Sequence, residues 1–246
     1  MKMRFIAHYS SSKHNLYTVE TVGGRRLLIE CGCTPKQLQN KLDYKLDNIV
    51  GCLTSHEHND HSQSAEWLLK NGIDCYMSRG TMQALDLIHR RIYILENSHA
   101  IDIRGFFVFP FDVNHDACEP LGFIIKTPDQ EYLFFVTDTS HIRQRFGLAF
   151  NIIAICCNYD KTILQSKVDA GKINETFATR LLTSHMEKDV AKDYIRRFCN
   201  LSKCREIHLL HMSGNNIEKQ KIRDEFEKEF FISTYIAGEK KALRKS

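Results

Sequence analysis

Ser55-His56-Glu57-His58-Asn59-Asp60-His61 is the stretch on which the reading of this chain turns, because seven consecutive residues carry three imidazoles and two carboxylates. Just upstream, Ile49-Val50-Gly51-Cys52-Leu53-Thr54 is a short apolar run that reads as a buried strand. The residues from Ser62 onward, with Trp67, Leu68 and Leu69, begin an amphipathic helix. The histidines therefore lie at the carboxyl end of a strand. His56 and His58 are two apart, so in extended geometry both point to one side, whereas Asp60 and His61 enter the turn and can face a second point in space. Neutral imidazole and carboxylate are ligands that zinc, manganese and iron all accept. A zincin-type His-Glu-x-x-His helix is excluded, since the residue four after His56 is Asp60.

This His-x-His-x-Asp-His pattern resembles the metal-binding signature of the metallo-β-lactamase superfamily, which needs a histidine, an aspartate and a second histidine downstream, in that order. His115 follows the apolar run 106–111, Asp138 follows the run 132–136, and His211 ends Ile207-His208-Leu209-Leu210-His211. All three stand where an apolar run stops, as site residues on strand-end loops do. A histidine taken singly is more often a surface or satisfied core residue, but the ordered set makes that reading improbable. Within the superfamily the chain resembles the YycJ (WalJ) group of single-domain metallohydrolases, which are similar to DNA exonucleases and related to the RNase Z and RNase J nucleases. The carrying residues are Ser10-Ser11-Ser12-Lys13-His14-Asn15, His115-Asp116-Ala117-Cys118-Glu119-Pro120-Leu121-Gly122 and His211-Met212-Ser213-Gly214-Asn215-Asn216, and the similarity runs from about residue 4 to residue 236. The chain departs from the group's pattern at Ser12-Lys13-His14-Asn15, at Glu30-Cys31-Gly32 and at Cys156-Cys157-Asn158-Tyr159-Asp160, and none of these is a metal-ligand position.

Composition fits a compact cytoplasmic enzyme. The chain has 246 residues, is 43% hydrophobic and contains four prolines, so one large domain or two small ones could bury a core, and a single domain over 1–246 is the expectation. No apolar stretch approaches the roughly 20 residues that span a bilayer, and the first residues are too polar for a signal peptide. The nine cysteines are odd in number and scattered, which suits reduced thiols better than a disulfide framework. Cys31-x-Cys33 lacks a second cysteine pair, so a structural zinc there is the weaker reading. A net charge of +4 permits an anionic substrate without arguing for nucleic acid.

No repeat or low-complexity tract interrupts the chain. Strands are expected at 3–9, 16–21, 26–31 and 49–53, with Gly23-Gly24 as a hairpin turn, and helices at 35–41, 62–71 and 81–87. A second set of strands follows at 106–111, 121–127, 132–136 and 152–156, with Pro128-Asp129 as a turn, and then helices at 175–182, 187–199 and 217–228. This order suits an α+β fold, a metallo-β-lactamase-like αββα sandwich of two mixed sheets flanked by helices, with the metal loops gathered on one edge.

The resemblance implies two divalent ions, zinc or manganese with iron also open. His56, His58 and His115 would hold the first, Asp60, His61 and His211 the second, and Asp138 would bridge them. Such a pair generates hydroxide from water at neutral pH and holds the oxygens of the group under attack, which suits a phosphodiester. Asp60 is thereby a catalytic as well as a ligand residue. Glu30 falls where the group has an acidic residue that orients a ligand imidazole, and a solvated strand-end charge is the competing reading. His185 matches a position where related nucleases place a histidine that contacts the scissile phosphate or protonates the leaving oxygen. The alternative is a residue at the start of a helix capped by Ser184. Ser12, Lys13, His14 and Asn15 could bind a terminal phosphate, and Asn215 and Asn216 could buttress the His211 loop. His8, His89, His99, His141 and His208 are read as structural. The leading function is a metal-dependent phosphodiesterase acting on nucleic acid, DNA by the resemblance, as a 5′-to-3′ exonuclease. The runner-up is a small-molecule hydrolase of cyclic phosphodiesters, lactones or thioesters, and a non-catalytic binding protein comes third. Oligomeric state stays open.

Overall fold

In the computed structural model, which describes residues 2–212 and 216–239, two sheets stack face to face. The first contains β1 (Arg4–Ser10), β2 (Asn15–Glu20), β3 (Arg26–Ile29), β4 (Ile49–Leu53), β5 (Cys75–Met77) and β6 (Ile92–Ile94), side by side in that order. The second runs in chain order from β7 (Ile101–Ile103) through β8 (Phe106–Asp112), β9 (Leu121–Lys126), β10 (Tyr132–Val136), β11 (Ile152–Cys156) and β12 (Glu206–Leu210) to β13 (Ser233–Ile236). Each sheet starts with antiparallel pairs and ends with parallel ones, the change falling at β3/β4 in the first and at β10/β11 in the second. Parallel pairing needs crossovers, and helices supply them except between β10 and β11, where residues 137–151 connect the two strands without a helix. The helices are α1 (Pro35–Lys41), α2 (Asn59–Ser62), α3 (Ala65–Lys70) and α4 (Arg79–Ala84) in the first half, and α5 (Lys161–Asp169), α6 (Glu175–Ser184), α7 (Lys188–Phe198) and α8 (Lys219–Phe230) in the second.

Side-chain alternation explains the four layers. Leu27 and Ile29 of β3 point inward to a core shared with Phe106, Phe123 and Phe135 of the other sheet, while Leu28 between them points outward to Leu38 of α1 and Leu68 of α3. In the second sheet Leu133 and Phe135 face the same inner core, and Phe134 and Val136 face Tyr194 and Ile195 of α7 and Phe226 of α8. Strands covered on both faces read as continuous apolar runs, as these do. The two mixed sheets flanked by helices are the expected α+β sandwich.

Several elements differ from the sequence expectation. The helix expected over 62–71 is two pieces, α2 and α3, broken where Ser64 N–H bonds to the Cys31 carbonyl at 2.9 Å instead of continuing the helix. Helix α4 starts at Arg79, because the Ser78 hydroxyl accepts from the Thr81 N–H at 3.1 Å and caps it there. Strands β5, β6, β7 and β13 and helix α5 had no counterpart in the sequence reading. Among the described residues no helix is long and apolar enough to cross a membrane.

Candidate metal centre

Five strand ends converge on one edge of the sandwich. β3 delivers Glu30, β4 the 55–61 loop, β8 His115, β10 Asp138 and β12 His211. Helix α2 is one turn long, and it is this turn that carries Asp60 and His61 away from the extended His56 and His58. The ligand atoms fall into two groups, one of His56, His58 and His115 and one of Asp60, His61, Asp138 and His211, each with its atoms within 4.8 Å of one another.

In the first group His56 Nε2 lies 3.1 Å from His58 Nδ1, which lies 3.3 Å from His115 Nε2. His115 Nδ1 is 3.2 Å from the Ser184 carbonyl, which can only accept, so the proton sits on Nδ1 and the Nε2 lone pair is turned to the other rings. His56 is oriented by the Ser55 hydroxyl, 2.8 Å from its Nδ1. Burial pushes His56 well below the ordinary imidazole pKa, with His61 adding to it, and burial also lowers His115. Neutral rings with lone pairs aimed at one another suit a cation between them.

The second group is rich in charge. His61 Nε2 is 2.7 Å from Asp138 Oδ2 and 3.2 Å from Asp60 Oδ2, and His211 Nε2 is 3.6 Å from Asp60 Oδ2. Burial opposes a charge on His61, yet Asp138 and Glu30 outweigh it and hold its pKa well above the usual value. Burial likewise favours a neutral Asp138, but His211 and His61 keep that carboxyl well below the usual range, and the same two rings lower Asp60. Glu30 is fully buried, with Oε1 3.6 Å from His61 Nδ1 and Oε2 accepting the Ser55 N–H at 3.2 Å, so it is not a solvated charge. Asp138 Oδ1, His211 Nε2, His61 Nδ1, Glu30 Oε1 and His185 Nδ1 are all buried without a hydrogen-bond partner. Orphaned polar atoms concentrated at one point fit divalent cations. Binding would displace protons now held by the imidazoles.

The backbone is strained at the same place. Glu30, Asp138 and His211 have φ of 62°, 39° and 53°, in the left-handed region that costs a non-glycine residue about 1–3 kcal/mol. Gly32 is needed for contact, since a Cβ there would lie 1.6 Å from the Asp60 carbonyl oxygen. Gly32→Ala is therefore expected to displace the Asp60 turn, costing at least about 1–3 kcal/mol in denaturant unfolding and lowering metal uptake. Wild-type values for both would show that the turn yields freely.

His185 is brought to the cluster: its Nδ1 is 3.6 Å from Asp138 Oδ1, and its ring centre is 5.8 Å from that of His115 and 5.7 Å from that of His211. The capping alternative is overturned. Ser184 ends α6 with its hydroxyl donating to the Arg180 carbonyl at 2.7 Å, His185 is the C-cap of that helix, and Glu187 caps α7. Asn15 is also corrected. It is fully buried with its amide nitrogen 3.1 Å from Asp60 Oδ2, so it holds a site carboxylate and does not meet incoming substrate. Ser12 is exposed, and His14 donates from Nδ1 to the Gly32 carbonyl at 3.1 Å. Asn216 accepts from Lys167 Nζ at 3.3 Å, and Asn215 lies outside the described residues. Sequence reasoning missed Ser55 and Asn158, whose amide nitrogen is 2.9 Å from His211 Nδ1. It also missed Asp116, 3.3 Å from His115 Nδ1 and paired with Arg180. Their one signal is that each adjoins a strand end or a ligand.

No protein-family profile matches the chain. A curated relative, the exodeoxyribonuclease YycJ of Bacillus anthracis, is 25% identical over 154 residues, covering 59% of this chain and 58% of that protein. The chain thus matches little more than half the length of that relative. Among solved structures, the metallo-β-lactamase fold protein YhfI of Bacillus subtilis superposes with a TM-score of 0.74 at 15% identity, over 96% of this chain and 97% of that one. A diphosphatase of the PhnP family superposes with a TM-score of 0.61 at 16% identity, over 92% of this chain and 81% of that one.

Proposed function

We propose that this chain, which has the metallo-β-lactamase fold of known metallohydrolases, is a metal-dependent phosphodiesterase that degrades nucleic acid, DNA from the 5′ end. The observation that carries the reading is the pair of adjoining ligand groups, His56, His58, His115 and Asp60, His61, Asp138, His211, with His185 beside Asp138. Likeness to an exodeoxyribonuclease supports the choice of polynucleotide. Two divalent cations, zinc or manganese with iron also accepted by this donor set, supply an activated water and a charge clamp for phosphoryl oxygens. The chain's own residues do the rest. Ser55, the Ser184 carbonyl, Glu30 and Asn158 fix the ligand rings, so little reorganisation is needed when charge develops. His185, with a side chain 21% exposed, is reachable by substrate and is the proton donor for the leaving oxygen. All nine cysteines are free thiols, which supports the cytoplasm as the setting.

A small-molecule phosphoester is the second reading, favoured by the likeness to the PhnP-family diphosphatase. The test is incubation of purified protein with 5′- and 3′-labelled DNA and RNA, single- and double-stranded, with Mn²⁺, Zn²⁺ or chelator. Metal-dependent release of nucleotides that weakens as salt rises is expected, because binding a polyanion releases counterions. Cleavage of a small diphosphate or cyclic phosphodiester with every polynucleotide left intact would replace the first reading by the second.

A further inference from the structure

The two ligand-bearing halves meet across a hydrogen-bonded chain that none of the ligands belongs to. Ser10 and Asn15 face each other in register at the turn end of the β1–β2 hairpin, and Tyr17 lies two residues further along β2, on the same side as Asn15. The Asn15 amide nitrogen lies 3.1 Å from the carbonyl oxygen and 3.1 Å from Oδ2 of Asp60. Asp60 can only accept at these atoms, which fixes the orientation of the amide and turns Asn15 Oδ1 towards Tyr17. Tyr17 O–H donates to Asn15 Oδ1 at 3.0 Å, so the Ser10 hydroxyl, 2.8 Å away, donates to the Tyr17 oxygen. The Ser10 oxygen in turn accepts the N–H of His211 at 2.9 Å, at the residue whose φ is 53°. Every proton in the chain points one way, from Ser10 to Asp60.

Asp60 hangs from a loop of the first sheet and His211 from a loop of the second, and a hairpin end touches both. Asn15 and Tyr17 are each fully buried, so water does not replace a missing link. We infer that Ser10, Tyr17 and Asn15 are positioning residues that set the separation of Asp60 and His211, and so the affinity of the second cation site while leaving the His56, His58 and His115 site alone. The inference rests on the metal-site reading given above. Strain at His211 needs an outside contact to persist, and Ser10 Oγ provides one.

The test is calorimetric titration of the chelator-stripped full-length protein with Zn²⁺ alone. Wild type is expected to show two binding events. Tyr17→Phe keeps the ring that stacks on Phe5 at 5.7 Å and meets Phe135 at 5.2 Å, so it removes one hydroxyl from a folded protein. That variant and Asn15→Ala are each expected to weaken one event about 10–100-fold, the usual worth of a residue that orients a metal ligand, with the other event within about twofold of wild type. In the double variant the losses should be less than additive, because both break one chain. Two events unchanged in Tyr17→Phe, or both weakened alike, would overturn the inference. Wild-type protein that takes up no ion would overturn the metal reading itself, and this inference with it.

Discussion

Asp138→Asn is expected to leave the protein with one cation or fewer per chain and to cost at least about 10³ in turnover, several kcal/mol of charge stabilisation at the reacting phosphate. Asp138 is 3% exposed and touches His61 at 2.7 Å, His211 at 3.4 Å and His185 at 3.6 Å, so no other carboxylate can take its place without moving three rings. Its removal also leaves the buried His61 without the partner that most favours its charged form. Loss of one member of such a buried pair costs about 3–5 kcal/mol, so the metal-free variant should unfold at lower denaturant than metal-free wild type. Metal analysis, single-turnover rates and denaturant unfolding read the three effects separately. Wild-type metal content together with wild-type turnover would remove Asp138 from the site.

His185→Ala should separate chemistry from metal binding. His185 is 21% exposed on its side chain and contacts Asp138 through one nitrogen, while the metal groups close without it. The variant is expected to keep both cations and its unfolding midpoint yet lose on the order of 10²–10⁴ in rate on a polynucleotide. On an aryl phosphodiester, whose leaving group departs without a proton, the loss should shrink to a small factor. A variant that sheds metal would make His185 a ligand instead. One that degrades DNA at the normal rate would return it to the end of α6 as a mere helix terminator.

What was legible in the sequence was local. The 55–61 loop announces its chemistry because the strand before it is a run of five buried residues and the alternation of His56 and His58 is a property of extended backbone alone. The long strands were legible for the same reason, and α7 by the helical spacing of its buried Ala191, Tyr194 and Ile195. The three-residue strands β5, β6 and β7 were not, since three residues hold too little alternation to separate a strand from a loop. Helix α5 was missed because only Leu164 of its nine residues is buried, which leaves almost no apolar stripe. The break between α2 and α3 is decided by the Cys31 carbonyl, which is distant in sequence.

The candidate ligand types, their order and their place at strand ends are readable from the chain alone, because they follow from residue chemistry and from the two-residue repeat of a strand. Which of them meet depends on how the distant strand ends pack together. His185 reaches Asp138 across 47 residues, where the end of α6 meets the end of β10, and the Ser10 hydroxyl reaches His211 across 201, a contact created by the stacking of two sheets. Asn15 likewise reads in sequence as a residue that could bind a terminal phosphate, and becomes a support for Asp60 because the packing of α2 against β2 buries it where water cannot compete for its amide.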